Sequence, residues 1–120
     1  MSASILIVDD EVEIVDQVKE YFEEEGLSVM TAETGAEGIK ILKEKQPNIL
    51  ILDMKLPDMP GIQVLKASKE ESPLTKVIVM TGYVDQIMID QAEELGRDIF
   101  LQKPFDLEKL KSEVDKLLSK

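Results

Sequence analysis

Five side chains in this sequence could do chemistry together: the carboxylates of Asp9, Asp10 and Asp53, the hydroxyl of Thr81 and the amine of Lys103. Each lies just past an aliphatic run. Ile5-Leu6-Ile7-Val8 leads into Asp9-Asp10, Ile49-Leu50-Ile51-Leu52 into Asp53, Val77-Ile78-Val79-Met80 into Thr81, and Ile99-Phe100-Leu101, with Gln102 between, into Lys103. Carboxylates packed together repel and raise one another's pKa. A hard divalent cation removes that cost. Mg²⁺ suits the set, because it takes oxygen ligands, keeps several waters and commonly contacts a phosphate as well. One or two of the carboxylates plus a backbone carbonyl after Asp53, such as that of Lys55, would suffice. Thr81 and Lys103 suit a phosphoryl oxygen, and an aspartate can attack phosphorus to form an acyl phosphate. Taken singly, each residue has a plainer reading. Asp9-Asp10 could cap a helix, Asp53 could sit in a turn, Thr81 could be a cap, and Lys103-Pro104 a solvated turn. Their shared position at strand ends is what favours joint chemistry.

Those runs must be strands buried on both faces, as in a parallel sheet covered by helices. Strands are predicted at 4–8, 27–32, 49–53, 76–80 and 98–101. The second is shorter and less apolar, which suits an edge. Helices are predicted at about 11–25, 34–45, 61–71, 84–95 and 106–118. The first carries Ile14, Val18, Tyr21 and Phe22 at helical spacing. In the second, Ala36, Ile39 and Leu42 should face inward; in the third, Ile62 and Leu65. The last has Leu107, Leu110, Val114, Leu117 and Leu118 on one face, with Asp106 as N-cap. Asp10 is a candidate cap for the first helix. Gly26 and Gly96 are stop signals. Two prolines and a glycine after Asp53 mark a shaped loop. Five strand-helix alternations with right-handed crossovers give an α/β fold with a doubly wound five-stranded parallel sheet. In the order 2-1-3-4-5, strands one and three adjoin at the topological switch point, where Asp9, Asp10 and Asp53 converge.

The 120 residues imply one domain, residues 1–120, and 43% hydrophobic content suffices for its core. The final helix is expected to end the domain with no output domain after it. Twenty-five acidic against 14 basic residues give a formal charge of -11. That argues against nucleic-acid binding and suits a multivalent cation or a basic partner. The absence of cysteine and histidine excludes disulfides, thiolate or imidazole metal sites and Ser-His triads. No stretch has the length of a membrane span and no signal-peptide pattern opens the chain, so a cytoplasmic protein is expected.

The motifs Ile5-Leu6-Ile7-Val8-Asp9-Asp10, Leu52-Asp53-Met54-Lys55-Leu56-Pro57 with Gly61, Met80-Thr81-Gly82 and Lys103-Pro104-Phe105 resemble the receiver domain of two-component response regulators. The resemblance covers essentially the whole chain. The single-domain form and the segments around Asp53 and Thr81 are most similar to the stand-alone receiver type of the sporulation phosphorelay. It implies a flavodoxin-like (βα)5 fold and a phosphorylation-dependent switch or relay, not a turnover enzyme. By this resemblance Asp53 is the phospho-acceptor. Asp10, Asp53 and the Lys55 carbonyl ligate Mg²⁺, with Asp9 acting mainly through water or by orienting the site. Thr81 and Lys103 contact the phosphoryl group, and the Lys103-Pro104 peptide is cis, which would aim the lysine inward. Thr81 and Phe100 occupy the family's switch positions; Phe100 lacks the hydroxyl of the tyrosine found in many members. Lys55 and Tyr83 hold positions that govern water access, and their size implies a long-lived phospho-Asp53.

With no histidine of its own, the chain must take phosphate from a histidine kinase, a histidine phosphotransfer protein or a small acyl phosphate. The resemblance puts donor docking on the first helix and the loop after strand five, with Val12, Val15, Pro104 and Phe105 as apolar candidates; Val15 equally fits the core. A downstream target would use the face formed by helix four, strand five and helix five, where Met88 and Ile89 cannot both face the core. Two other classes compete. An aspartate-nucleophile phosphatase of the haloacid-dehalogenase type would need a second acid two residues after Asp53, where Lys55 stands. A flavin-binding protein would need a Ser/Thr/Gly phosphate loop where this chain has Asp9-Asp10-Glu11.

Overall fold

In the computed structural model, which describes residues 3–82 and 86–119, the aliphatic runs form strands and the amphipathic stretches between them form helices. In chain order the elements are β1 (Ser4–Val8), α1 (Val12–Glu24), β2 (Ser28–Ala32), α2 (Gly35–Lys45), β3 (Ile49–Asp53), α3 (Gly61–Glu71), β4 (Lys76–Thr81), α4 (Gln86–Leu95), β5 (Ile99–Gln102) and α5 (Leu107–Leu118). The sheet order is β2-β1-β3-β4-β5, and every pairing is parallel. This is the doubly wound order expected from the sequence, with β2 at an edge.

Successive strand side chains point to opposite faces, which divides the core in two. Ile5, Ile7, Ile49, Ile51, Ile78 and Met80 face α1 and α5, meeting Val18, Phe22, Leu110 and Val114. Leu6, Val8, Leu50, Leu52, Val77 and Val79 face the other way, meeting Leu42, Val64, Leu65 and Ala92 from α2, α3 and α4. All of β3 is buried. Each such aliphatic side chain contributes roughly 1.5–3 kcal/mol through burial. That tolerance-free central strand is what holds Asp53 at the sheet's rim.

Local chemistry sets the ends. Thr34 caps α2 by accepting from the Glu37 amide at 3.2 Å, and Asp106 caps α5 by accepting from the Lys109 amide at 2.7 Å. Gly26 and Gly96 follow α1 and α4 with φ of 88° and 93°, the left-handed region where glycine escapes the Cβ clash. Strand β5 is displaced by one residue from its expected bounds; Asp98, just before it, donates its amide to the Val77 carbonyl at 2.9 Å and accepts the Val77 amide on its carboxylate at 2.8 Å.

Several expectations about helix faces need correction. Ala36 is exposed, and α2 buries Gly35, Gly38 and Leu42, with Ile39 half-buried. The cause is close packing on β1: a methyl group on Gly38 would fall 2.7 Å from Val8 Cγ2. The helix therefore approaches through its glycines and turns Ala36 outward. In α3, Leu65 is buried with Val64, and Ile62, half-buried, packs against the same core as expected. Asp10 does not cap α1. Glu11 stands at the N-cap with no side-chain cap bond, and Asp9 Oδ1 takes the Glu11 amide at 2.9 Å. Val15 is buried and so is removed from the docking candidates, while Val12 is half exposed. Met88 and Ile89 are both half-buried; Ile87 is the outward residue of α4, at 71% exposure.

Candidate functional site

Parallel register brings the C-terminal strand ends to one edge. Val8 pairs with Leu52, Asp53 with Met80, and Thr81 with Gln102. Asp9, Asp10, Asp53, Thr81 and Lys103 all lie at that edge, around the junction of β1 and β3. Asp9, Asp53 and Thr81 are buried, and Asp10 is exposed. Carboxylate oxygens of Asp9, Asp10 and Asp53 all lie within 4.8 Å of one another. These are hard oxygen donors in a set that matches a divalent cation of the Mg²⁺ type. The carboxylate of Asp10 has no hydrogen bond or ion pair among the described residues and is open to one.

Lys103 ties the site together. Its amine lies 2.9 Å from Asp9 Oδ2, 3.1 Å from Asp53 Oδ2 and 2.5 Å from Glu11 Oε1. The Lys103-Pro104 peptide is cis. Burial opposes the lysine's charge, but hydrogen bonds to Glu11 and Asp9 and the charge of Asp53 outweigh it, holding its pKa above that of an ordinary lysine. Asp9 shifts upward. Burial is the main cause, countered by the Glu11 amide and by Lys103 and reinforced by the Asp53 charge. One lysine thus compensates two nearly water-free carboxylates whose charges would otherwise repel.

The loop between β3 and α3 closes one side. The Lys55 amide donates to Asp53 Oδ1 at 3.1 Å, fixing the carboxylate's orientation. The Gly61 amide donates to the Met54 carbonyl at 2.8 Å. A methyl on Gly61 would lie 2.5 Å from Met54 Cα and 2.6 Å from the Asp53 carbonyl oxygen, so only glycine lets α3 start here. Asp10, Asp53, Lys55, Pro57 and Thr81 line an open cleft of about 490 Å³. At roughly 30 Å³ per water, it has room for a hydrated ion and a phosphoryl group together.

Phe100 is half-buried, with the Arg97 guanidinium 5.7 Å above its ring, rather than sealed in the core. Tyr83 lies outside the described residues. Two contributors escaped the sequence reading. Glu11 is the third carboxylate on Lys103; its place directly after Asp9-Asp10 was the available signal. Asp58 accepts from the Gly35 and Ala36 amides at 2.8 and 3.0 Å, a contact to which nothing in its own neighbourhood points.

An open α/β domain with an acid-rich, lysine-bridged cleft at its switch point is the architecture of a phosphoryl-accepting signalling module. The chain belongs to the response regulator receiver domain family, which it matches over residues 5–115. It is 37% identical over 118 residues to sporulation initiation phosphotransferase F of Bacillus subtilis (strain 168), covering 98% of this chain and 95% of that protein. It is 30% identical to the alkaline phosphatase synthesis transcriptional regulatory protein PhoP of the same organism; there 98% of this chain spans 49% of the relative. Among solved structures, a CheY-like response regulator receiver domain protein from Methanospirillum hungatei JF-1 matches with a TM-score of 0.96 at 32% identity, covering 99% of this chain and 96% of that one. Its function class is therefore that of a phospho-accepting receiver in two-component signalling or a phosphorelay. No helix among the described residues is long and apolar enough to cross a membrane.

Proposed function

We propose that Asp53 takes a phosphoryl group from a phosphohistidine on a partner protein and holds it as an acyl phosphate. A carboxylate oxygen of Asp53 attacks phosphorus, the phosphorus–nitrogen bond to the partner's imidazole breaks, and that nitrogen keeps the bonding pair. Asp10, Asp53 and the Lys55 carbonyl would hold Mg²⁺, with Asp9 as an orienting carboxylate. The cation would supply charge neutralisation at the phosphoryl oxygens. The Lys55 amide orients the attacking carboxylate. Lys103, charged at any physiological pH and already beside Asp53, turns to the incoming phosphoryl oxygens as Asp53 loses its own negative charge to the new bond. Thr81, buried at the end of the adjoining strand, offers them its hydroxyl. Positioning and charge supply most of the catalysis in such transfers.

The single observation that carries this reading is the Lys103 amine, within 3.1 Å of both Asp9 and Asp53 in a three-carboxylate cluster. The donor is a histidine kinase or histidine phosphotransfer protein, since the chain has no histidine. Its docking site is the groove beside Lys103 lined by Ile14, Pro104, Phe105 and Leu107. A downstream protein reads the phosphorylated state through Thr81 and Phe100. Lys55 and Tyr83 shield the acyl phosphate and lengthen its life. The protein acts in the cytoplasm, where ATP charges such donors, and it performs its own phosphorylation and slow dephosphorylation rather than turning over an external substrate. The phosphatase alternative lacks its second acid, because Lys55 stands there.

The test is Asp53→Asn against wild type, each incubated with a small acyl phosphate and Mg²⁺ and weighed intact. Wild type gains one phosphoryl mass and the variant none; equal gain by both overturns the assignment.

A further inference from the structure

The loop that carries Lys55 is tied at its base by the Gly61–Met54 hydrogen bond and by a bridge between Lys55 and Pro60. Its tip is tied elsewhere. Both carboxylate oxygens of Asp58 accept backbone amides from the first turn of α2, Oδ1 from Gly35 at 2.8 Å and Oδ2 from Ala36 at 3.0 Å. Met59 packs beside them so closely that a methyl on Gly35 would fall 2.5 Å from its Cγ. Helix α2 contributes no residue to the cleft, yet it holds the tip of the loop that does.

The clamp is more than a helix cap. The first amides of a helix lack intrahelical partners and favour a negative charge nearby. Here α2 already has its own cap in Thr34, which serves the Glu37 amide, while Glu37 Oε1 takes the Glu33 amide at 3.3 Å. Asp58 reaches across 22 to 23 residues to add two further bonds, and those same bonds, that from Gly35 foremost, hold its carboxyl below the usual carboxylate range. A local cap could come from the helix itself. A long-range one also fixes the segment that supplies it. Mg²⁺ demands near-ideal octahedral geometry, so a carbonyl ligand on an untethered loop would be a poor one.

We propose that Asp58 is a positioning residue for the cation site: by clamping the loop tip to α2, it holds the Lys55 carbonyl where the cation needs it. This rests on the metal set given under the proposed function. Groups behind a metal's direct ligands typically change affinity about 10- to 100-fold when removed, and Asp58, which acts through the backbone, belongs at the lower end.

The experiment titrates Mg²⁺ into unphosphorylated wild type, Asp58→Ala, Asp58→Asn and Thr34→Ala, read by calorimetry well below their melting temperatures. Amide hydrogen exchange at Lys55 and Gly61 is followed in the same proteins without metal. Asp58→Ala should bind Mg²⁺ about 10-fold more weakly and exchange faster at both amides. Asp58→Asn, keeping one acceptor, should fall between, and it stands in should Asp58→Ala not fold. Thr34→Ala removes a cap on the same helix without touching the loop, so it should melt earlier with Mg²⁺ affinity unchanged. Wild-type affinity in both Asp58 variants overturns the proposal, as does an equal loss in Thr34→Ala. A wild type that binds no Mg²⁺ overturns this proposal and the underlying metal assignment together.

Discussion

Replacing Lys103 by Met keeps the apolar stem and removes the charge that compensates Asp9 and Asp53. Asp9 has no solvent exposure, and the Asp53 side chain retains 7%. Breaking a buried ion pair from one side costs about 3–5 kcal/mol. The half-exposed Glu11 adds little, which sets the expected loss near the lower bound, about 3 kcal/mol at neutral pH. At a urea slope of about 1.5 kcal/mol per M, the unfolding midpoint should fall by about 2 M with the slope unchanged. The pH dependence has a definite sign. Asp9 is already raised by burial and by Asp53, and Lys103 opposes that rise. Without the lysine, Asp9 rises further. A folded-state pKa above the unfolded one means the folded protein takes up a proton first as pH falls. The variant's deficit should therefore shrink on going from pH 7.5 to pH 5. Lys103 and a divalent cation also compete for the same carboxylates. Mg²⁺ should thus bind the variant more tightly, by on the order of 1 kcal/mol or about fivefold, and restore part of its stability. Urea titrations in chelator at both pH values, then with Mg²⁺, provide the assay. A variant as stable as wild type at pH 7.5, or a deficit that ignores pH and Mg²⁺, would refute the reasoning.

Gly61→Ala forces a methyl into the backbone at Met54 and Asp53; it should cost about 1–3 kcal/mol in thermal unfolding and slow phosphorylation of Asp53 by a small acyl phosphate. Asp106→Ala removes the α5 cap and should cost about 1 kcal/mol, lowering the melting temperature by about 4 °C while leaving phosphorylation unchanged. Asp58, whose pKa is lowered in the fold, stabilises at neutral pH and loses that contribution as pH falls through its folded-state value. Asp58→Ala should therefore flatten the acid limb of the stability curve.

The parts of this molecule most legible in the sequence are those whose physics is local. Strands β1, β3 and β4 are aliphatic runs buried on both faces, and nothing but a covered parallel sheet accommodates them. Their order then brings Asp9, Asp10 and Asp53 together, so the cluster follows from topology. The misread α2 face has an equally plain cause. Glycine carries no hydrophobic signal, so the pattern points to Ala36 while the helix packs Gly38 onto Val8. Glu11 and Asp58 were missed because the partners that give them roles, Lys103 and the α2 amides, lie 92 and 22 to 23 residues away. Val15 and Val12 were indistinguishable by type. Only the helix's rotation on the sheet decides which is buried.

The central claim, that Asp53 carries the phosphoryl group, is tested most directly by chemical trapping. The protein is incubated with a small acyl phosphate and Mg²⁺, reduced with borohydride, digested and sequenced by mass spectrometry. The account predicts that residue 53 is recovered as homoserine, the reduction product of an aspartyl phosphate, and that this conversion disappears when Mg²⁺ is chelated. Homoserine at another acidic position with residue 53 left as aspartate would contradict it.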